Sequence, residues 1–205
     1  MIHESYYWKR ELVKLSKKLT ARIPCKRFWT DSQNGAFEKE VMIGFYIVRK
    51  LLESQKLPNI IASTKLNGRK YPNNGTDVHL MNNHRFPEHY DFENGKDEKF
   101  ELKFLINQIV HSYIFSPDFE INEETGDMTL SSIHFCSDDH RNKWIYEISL
   151  QTVIDLFKKV GKSNVTSAHY MYDPKKNDYR VSQCDGVVPI PENIEKFIKQ
   201  QQAKK

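Results

Sequence analysis

Cysteine, glycine, proline and long apolar runs are all scarce in this 205-residue chain. Its three cysteines, Cys25, Cys136 and Cys184, are far apart and form no C-x-x-C pair. That disfavours a disulfide framework or a zinc ribbon and points to a reducing compartment. Eight glycines and eight prolines are too few for a collagen-like or low-complexity chain. The longest apolar stretch, residues 41–48, is far short of the ~20 residues that span a bilayer, and no signal-peptide core opens the chain. A cytoplasmic protein without membrane attachment is therefore expected. Nucleophile elbows, Walker loops and dinucleotide fingerprints are missing as well, which removes several common enzyme classes.

What is present describes a folded unit. Hydrophobic residues make up 39% of the chain and aromatic residues 12%, enough for a sizeable core. The net charge of +4 is small, but it is unevenly placed. Residues 1–27 carry Lys9, Arg10, Lys14, Lys17, Lys18, Arg22, Lys26 and Arg27 against only Glu4 and Glu11, so the basic surplus is local to the first segment.

Trp8, Leu12, Leu15 and Leu19 recur at helical spacing, and Pro24 ends that first helix. A second helix is expected over 36–55, entered through Asn34-Gly35 and stopped by Leu57-Pro58. Turn signals break up residues 58–95, with short strands expected at 60–66 and 76–81. A third helix, buried like the second, is expected over 97–115, stopping before Pro117. Strand-like runs at 128–136 and 143–149 then flank a polar turn, and a helix over 150–160 follows with Gly161 as its C-cap. A second hairpin is expected at 167–172 and 179–183, and a last amphipathic helix from Pro191. The expected fold class is α+β. A bundle-like helical half, residues 1–117 with an excursion at 58–95, joins an antiparallel hairpin-and-helix half over 118–205 in one continuous unit.

The third helix carries the most unusual stretch, Ile106-Asn107-Gln108-Ile109-Val110-His111-Ser112-Tyr113. Asn107 and His111 are i and i+4, so they share a helix face among large apolar residues. Burying such groups unpartnered costs roughly 1–3 kcal/mol each, so each needs a hydrogen-bond partner: one another, another helix, a second subunit or a ligand. In one reading they are satisfied core residues that set helix register.

The stretch also resembles the signature helix of HEPN-domain proteins, the higher eukaryotic and prokaryotic nucleotide-binding helical bundles. Ribonuclease members of that family carry Arg-Asn-x-x-x-His, often continued by x-Tyr. Asn107, His111 and Tyr113 match that pattern, whereas Ile106 stands where the family has its Arg. The resemblance covers about eight residues, with a basic opening helix and an Arg49-bearing helix before them. It implies an RNA-associated protein of a microbial defence or stress system, without cofactor or metal, working as a homodimer or with a protein partner. His111 would act as general acid or base, since an imidazole titrates near neutrality. Arg49 or the first helix would supply the missing cation. A catalytically degenerate derivative, a dimerising or nucleotide-binding scaffold, is the other outcome implied, because that Arg is absent.

Other groups are open to two readings. The basic side chains Lys9, Arg10, Lys14, Lys17, Arg22, Lys26 and Arg27 form either a solvated face or an RNA-binding surface, with Tyr6 and Tyr7 as stacking platforms. His79, His84 and His89 recur every five residues near Asp77, Glu88 and Asp91. A solvated loop is the favoured reading there, and a metal-dependent hydrolase the alternative. Asp138-Asp139-His140-Arg141 reads first as a turn. Against RNA cleavage stands a non-enzymatic binding or assembly protein, with Asn107 and His111 structural and a partner surface in the second half.

Overall fold

The computed structural model describes residues 2–25, 28–175 and 177–185. Helix α1, Ser5–Arg22, starts where the Glu4 carboxylate accepts the Tyr6 amide at 2.9 Å, and it buries Leu12, Leu15 and Leu19. A two-residue strand β1, Pro24–Cys25, follows. Helix α2, Asp31–Glu53, begins upstream of the expected Ala36. The cause is a capping box: the Thr30 hydroxyl accepts the Gln33 amide at 3.4 Å, and the Gln33 side chain accepts the Thr30 amide at 3.0 Å. Two orphan amides are thereby satisfied before Asn34-Gly35 is reached.

The short helix α3, Asn59–Ala62, occupies part of the segment expected as a first strand. Strand β2, Lys65–Pro72, follows it, and 76–81 forms no strand. The expected third helix over 97–115 is in fact strand β3, Lys96–Glu101, the nine-residue helix α4, Leu102–Val110, and the start of strand β4, Ser112–Ile121. Charged residues that read as a helix are held extended by pairing with β2, which sets Lys65 against Glu101, Arg69 against Asp97 and Lys70 near Glu98. Pro117 stops no helix. It lies inside β4 opposite Ile133, and β4 is an edge strand, where a missing amide costs no ladder bond.

Strands β5, Met128–Ser137, and β6, Trp144–Ser149, form the first expected hairpin. Helix α5, Leu150–Lys162, leads to the second, β7, Ser167–Asp173, with β8, Asp178–Cys184. The helix expected from Pro191 lies outside the described residues. The main sheet is antiparallel, ordered β4-β5-β6-β2-β3, with β1 paired to β5 beyond the end of β6. β7 and β8 make a separate two-stranded sheet.

A helical first half and a β-rich second half therefore do not exist. β2 and β3 share a sheet with β5 and β6, and α5 packs on α1 and α2. The fold is mixed α+β with its helices and strands interspersed.

Helices cover one face of the sheet. Phe37 of α2 meets Phe115 at 6.0 Å, Trp29 meets Phe119 at 5.1 Å, and Phe45 meets Phe157 of α5 at 5.2 Å between ring centroids. Two glycines let the helices approach. Gly161 is inside α5, not a cap, and a Cβ there would lie 2.7 Å from a Val13 methyl and 2.9 Å from the Lys9 carbonyl. A Cβ at Gly44 would collide with the Phe157 ring. The opposite face is crossed by residues 73–95, which lay Phe86, Tyr90 and Phe92 over it.

Gly44→Ala overpacks the α2–α5 contact and is expected to cost about 1–3 kcal/mol. Thermal denaturation should show the loss; an unchanged melting temperature would mean that Phe157 yields freely.

Candidate functional site

Helix α4 shows a different face from the one its sequence suggests. Leu105, Ile106 and Ile109 are in the core, while Asn107 and His111 are exposed, so the buried polar pair does not occur. The buried amide is Gln108, whose Oε1 accepts the Ser137 backbone N–H at 3.0 Å. His111 caps the helix, its amide donating to the Asn107 carbonyl at 3.1 Å.

Arg49 projects from α2 to the end of α4. Its Nη1 lies 3.0 Å from His111 Nε2, and its Nε donates to Glu53 Oε1 at 2.7 Å. Lys50 holds the other Glu53 oxygen at 3.0 Å. Guanidinium is always a donor, so in this arrangement the imidazole is neutral, with its proton on Nδ1 and its Nε2 lone pair facing the cation. The structure thus brings Arg49, His111 and, one turn earlier, Asn107 together. Tyr113 belongs elsewhere: it sits at a bulge in β4, and Arg141 stacks on its ring at 4.5 Å.

The basic first helix does not act as one surface. Lys9 is buried, its ammonium bonded to the Ser163 carbonyl at 3.0 Å, and burial holds its pKa below the usual lysine value. Arg22 forms a two-pronged bridge to Glu40 at 2.7 and 3.1 Å and stacks on Trp29. Lys14 pairs with Glu11. Arg10 and Lys17 are exposed, as are Tyr6 and Tyr7, and Lys26 and Arg27 lie outside the described residues. The histidine segment is also dispersed. His89 is buried with its ring on the Asn82 carbonyl at 3.0 Å, His79 accepts the Met81 amide, and His84 is exposed. Among the described residues, no group of three or more His, Cys, Asp or Glu side chains converges to hold a metal.

A second cluster is assembled by sheet register. Asp97, Arg69, Glu147, His134 and Ser116 stand opposite one another across β3, β2, β6, β5 and β4. A register row shares one face of a pleated sheet. Tyr71 donates its hydroxyl to Glu147 Oε2, and His134 Nε2 lies 3.8 Å from the same oxygen. Phe86 and Phe92 roof the imidazole at 5.8 and 5.3 Å. Burial pulls the His134 pKa down, opposed by the Asp118 and Glu147 carboxylates, and burial with the Glu147 bond drives the Tyr71 phenol up. Glu147 also borders an open cleft of about 850 Å³ with Arg69, Lys99 and Ser149, so a ligand can reach the carboxylate, though not the roofed histidine. The sequence signal for this cluster is alternation, with polar 132 and 134 between apolar 133 and 135, and polar 147 and 149 around apolar 148.

The chain matches no protein-family model, no curated protein and no solved structure. No helix among the described residues is long and apolar enough to cross a membrane.

His134 binds its proton more weakly folded than unfolded, so protonation favours unfolding. Stability should be full above pH 6.5, the ordinary histidine value, and fall as pH drops below it. His140, also pulled down by burial, adds to the same slope. Melting temperature against pH should therefore decline below about 6.5, less steeply in His134→Gln.

Proposed function

We propose that the chain is an RNA-associated protein that cleaves phosphodiesters without metal at the Arg49–His111 pair. One observation carries the reading. Two side chains 62 residues apart, a cation and an imidazole, meet at 3.0 Å at a site open to solvent. Neither group is needed there for the core, which Ile106 and Ile109 supply. Glu53 fixes the guanidinium by its Nε and leaves the Nη side for an anion.

An incoming phosphate competes for Arg49 and uncovers His111 Nε2. The imidazole takes the ribose 2′-hydroxyl proton as the 2′-oxygen attacks phosphorus. The P–O5′ bond breaks to give a 2′,3′-cyclic phosphate and a 5′-hydroxyl end, and the proton returns to the leaving oxygen or to water. Arg49 stabilises charge on the non-bridging oxygens, as a guanidinium can do in a bidentate manner. Asn107, one turn back on the exposed side of α4, is placed to bond the ribose or the next phosphate.

A second reading, an assembly protein without catalysis, draws on the exposed Tyr170, Met171 and Tyr179 of the β7–β8 hairpin. With Tyr46 and Trp8, Tyr170 and Tyr179 border a groove of about 820 Å³. If this surface assembles copies of the chain, Tyr170→Ser with Met171→Ser should lower the mass measured by light scattering.

For cleavage, single-stranded RNA incubated in excess chelator is the assay. His111→Ala is expected to slow the reaction by about 10²–10⁴-fold, with stability within about 0.5 kcal/mol of the parent because the side chain is exposed. Arg49→Ala should weaken both binding and rate. Cleavage that survives His111→Ala, or that the chelator abolishes, sinks the proposal. RNA binding without cleavage would identify a degenerate derivative.

A further inference from the structure

At the other end of α4 from His111, a cleft of about 410 Å³ is lined by Phe100, Phe104, His140, Trp144 and Tyr146, together with lysine and glutamate side chains. Its rings are held in fixed attitudes. Phe100 and Phe104 stack at 24° with centroids 5.9 Å apart, and Tyr146 stands nearly perpendicular to both. His140 bonds the Tyr146 hydroxyl through Nδ1 and lies 5.8 Å from Phe104. Burial, reinforced by Lys143, holds that imidazole below its usual pKa, so the ring is neutral at pH 7. A neutral imidazole offers one donor and one acceptor.

The charge on this cleft is selective. Lys70 sits 5.0 Å over Trp144 and is paired with Glu98. Of the other charged groups lining the cleft, Glu101 lies 4.0 Å from Lys65, while Lys99 and Lys143 enter no ion pair among the described residues. Aromatic cages commonly take quaternary ammonium ligands, but lysines here would repel them. A planar anion is favoured instead, and the volume falls within the usual range for small ligands.

We propose that this cleft binds the base of a ribonucleotide against its accessible rings, Phe104, His140 and Trp144, with Lys143 meeting the phosphate. Phe104 and His111 are seven residues apart, two helical turns on one face of α4, or about 10 Å. A short RNA held by its base in the cleft thus runs along α4, past Asn107, towards the Arg49–His111 pair. The site deepens the reading given above and rests on it for its purpose, while mononucleotide binding does not require cleavage.

Calorimetric titration of the full chain with AMP, GMP, CMP and UMP, and with inorganic phosphate, tests the site. Saturable binding of at least one mononucleotide is expected, with no comparable binding of phosphate. Phe104→Ala should weaken it by roughly ten- to hundredfold, the worth of one stacked base. Lys143→Glu should weaken it severalfold. Circular dichroism checks that Phe104→Ala is folded; if it is not, Lys143→Glu and loss of ligand-dependent quenching in Trp144→Phe carry the decision. No saturable mononucleotide binding, equal binding of phosphate, or binding indifferent to the decisive variants overturns the site. Mononucleotide binding without RNA cleavage would overturn the catalytic reading alone.

Discussion

The register of β5 determines the character of both faces of the molecule. β5 is paired along both edges, to β4 and to β6, with Phe135 opposite Phe115 and Tyr146 and with His134 opposite Ser116 and Glu147. A slip of one residue would send His134 under the helices and put Phe135 beside the Glu147 carboxylate. The first change buries an imidazole without a partner, and the second takes a hydrophobic ring out of the core. Gln108 adds a local lock, because its side chain accepts the Ser137 amide at the end of β5. That bond ties α4 to the same register, so the exposed stripe of Asn107 and His111 depends on how β5 is paired.

On the helical side the constraint is distance. α5 comes so close to α1 and α2 that Gly161 and Gly44 have no room for a Cβ. The α1–α5 seam also explains why Lys9 leaves the basic surface. Its stem runs along the seam, and its ammonium reaches the Ser163 carbonyl just past the end of α5. A helix C-terminus favours a nearby cation, which offsets part of the cost of taking the charge out of water. Five basic side chains within about three turns, Lys9 to Lys18, look like one patch in one dimension, but the packed helix divides them between core, ion pair and solvent.

Features that rest on local rules were legible in the sequence. The α1 stripe of leucines, the 128–137 and 144–149 hairpin, and the β7–β8 hairpin all follow from periodicity and turn residues. The early start of α2 was a local signal overlooked, the Thr30–Gln33 capping box; the larger failures share another cause, which is pairing at long range. The stretch 96–101 has helical composition, yet cross-strand partners on β2 hold it extended, and the same error rotated α4 so that its polar residues were placed in the core. The titratable row could be seen as alternation, but only register joins Arg69, Glu147 and His134. Its aromatic roof comes from residues 73–95, a segment that offers no period to read.

The position before Asn107 illustrates how the fold limits chemistry. Ile106 is 1% exposed, wedged with Leu105 and Ile109 into the core. A guanidinium there would be buried without a carboxylate, so a cation beside His111 has to come from another element. α2 packs on α4, and its Arg49 reaches the helix end. Two effects hold it there. Glu53, one turn later on α2, aims the guanidinium through Nε, and the carbonyl-rich terminus of α4 attracts positive charge. Two packed helices, and not one contiguous motif, thus place a fixed cation against a neutral imidazole.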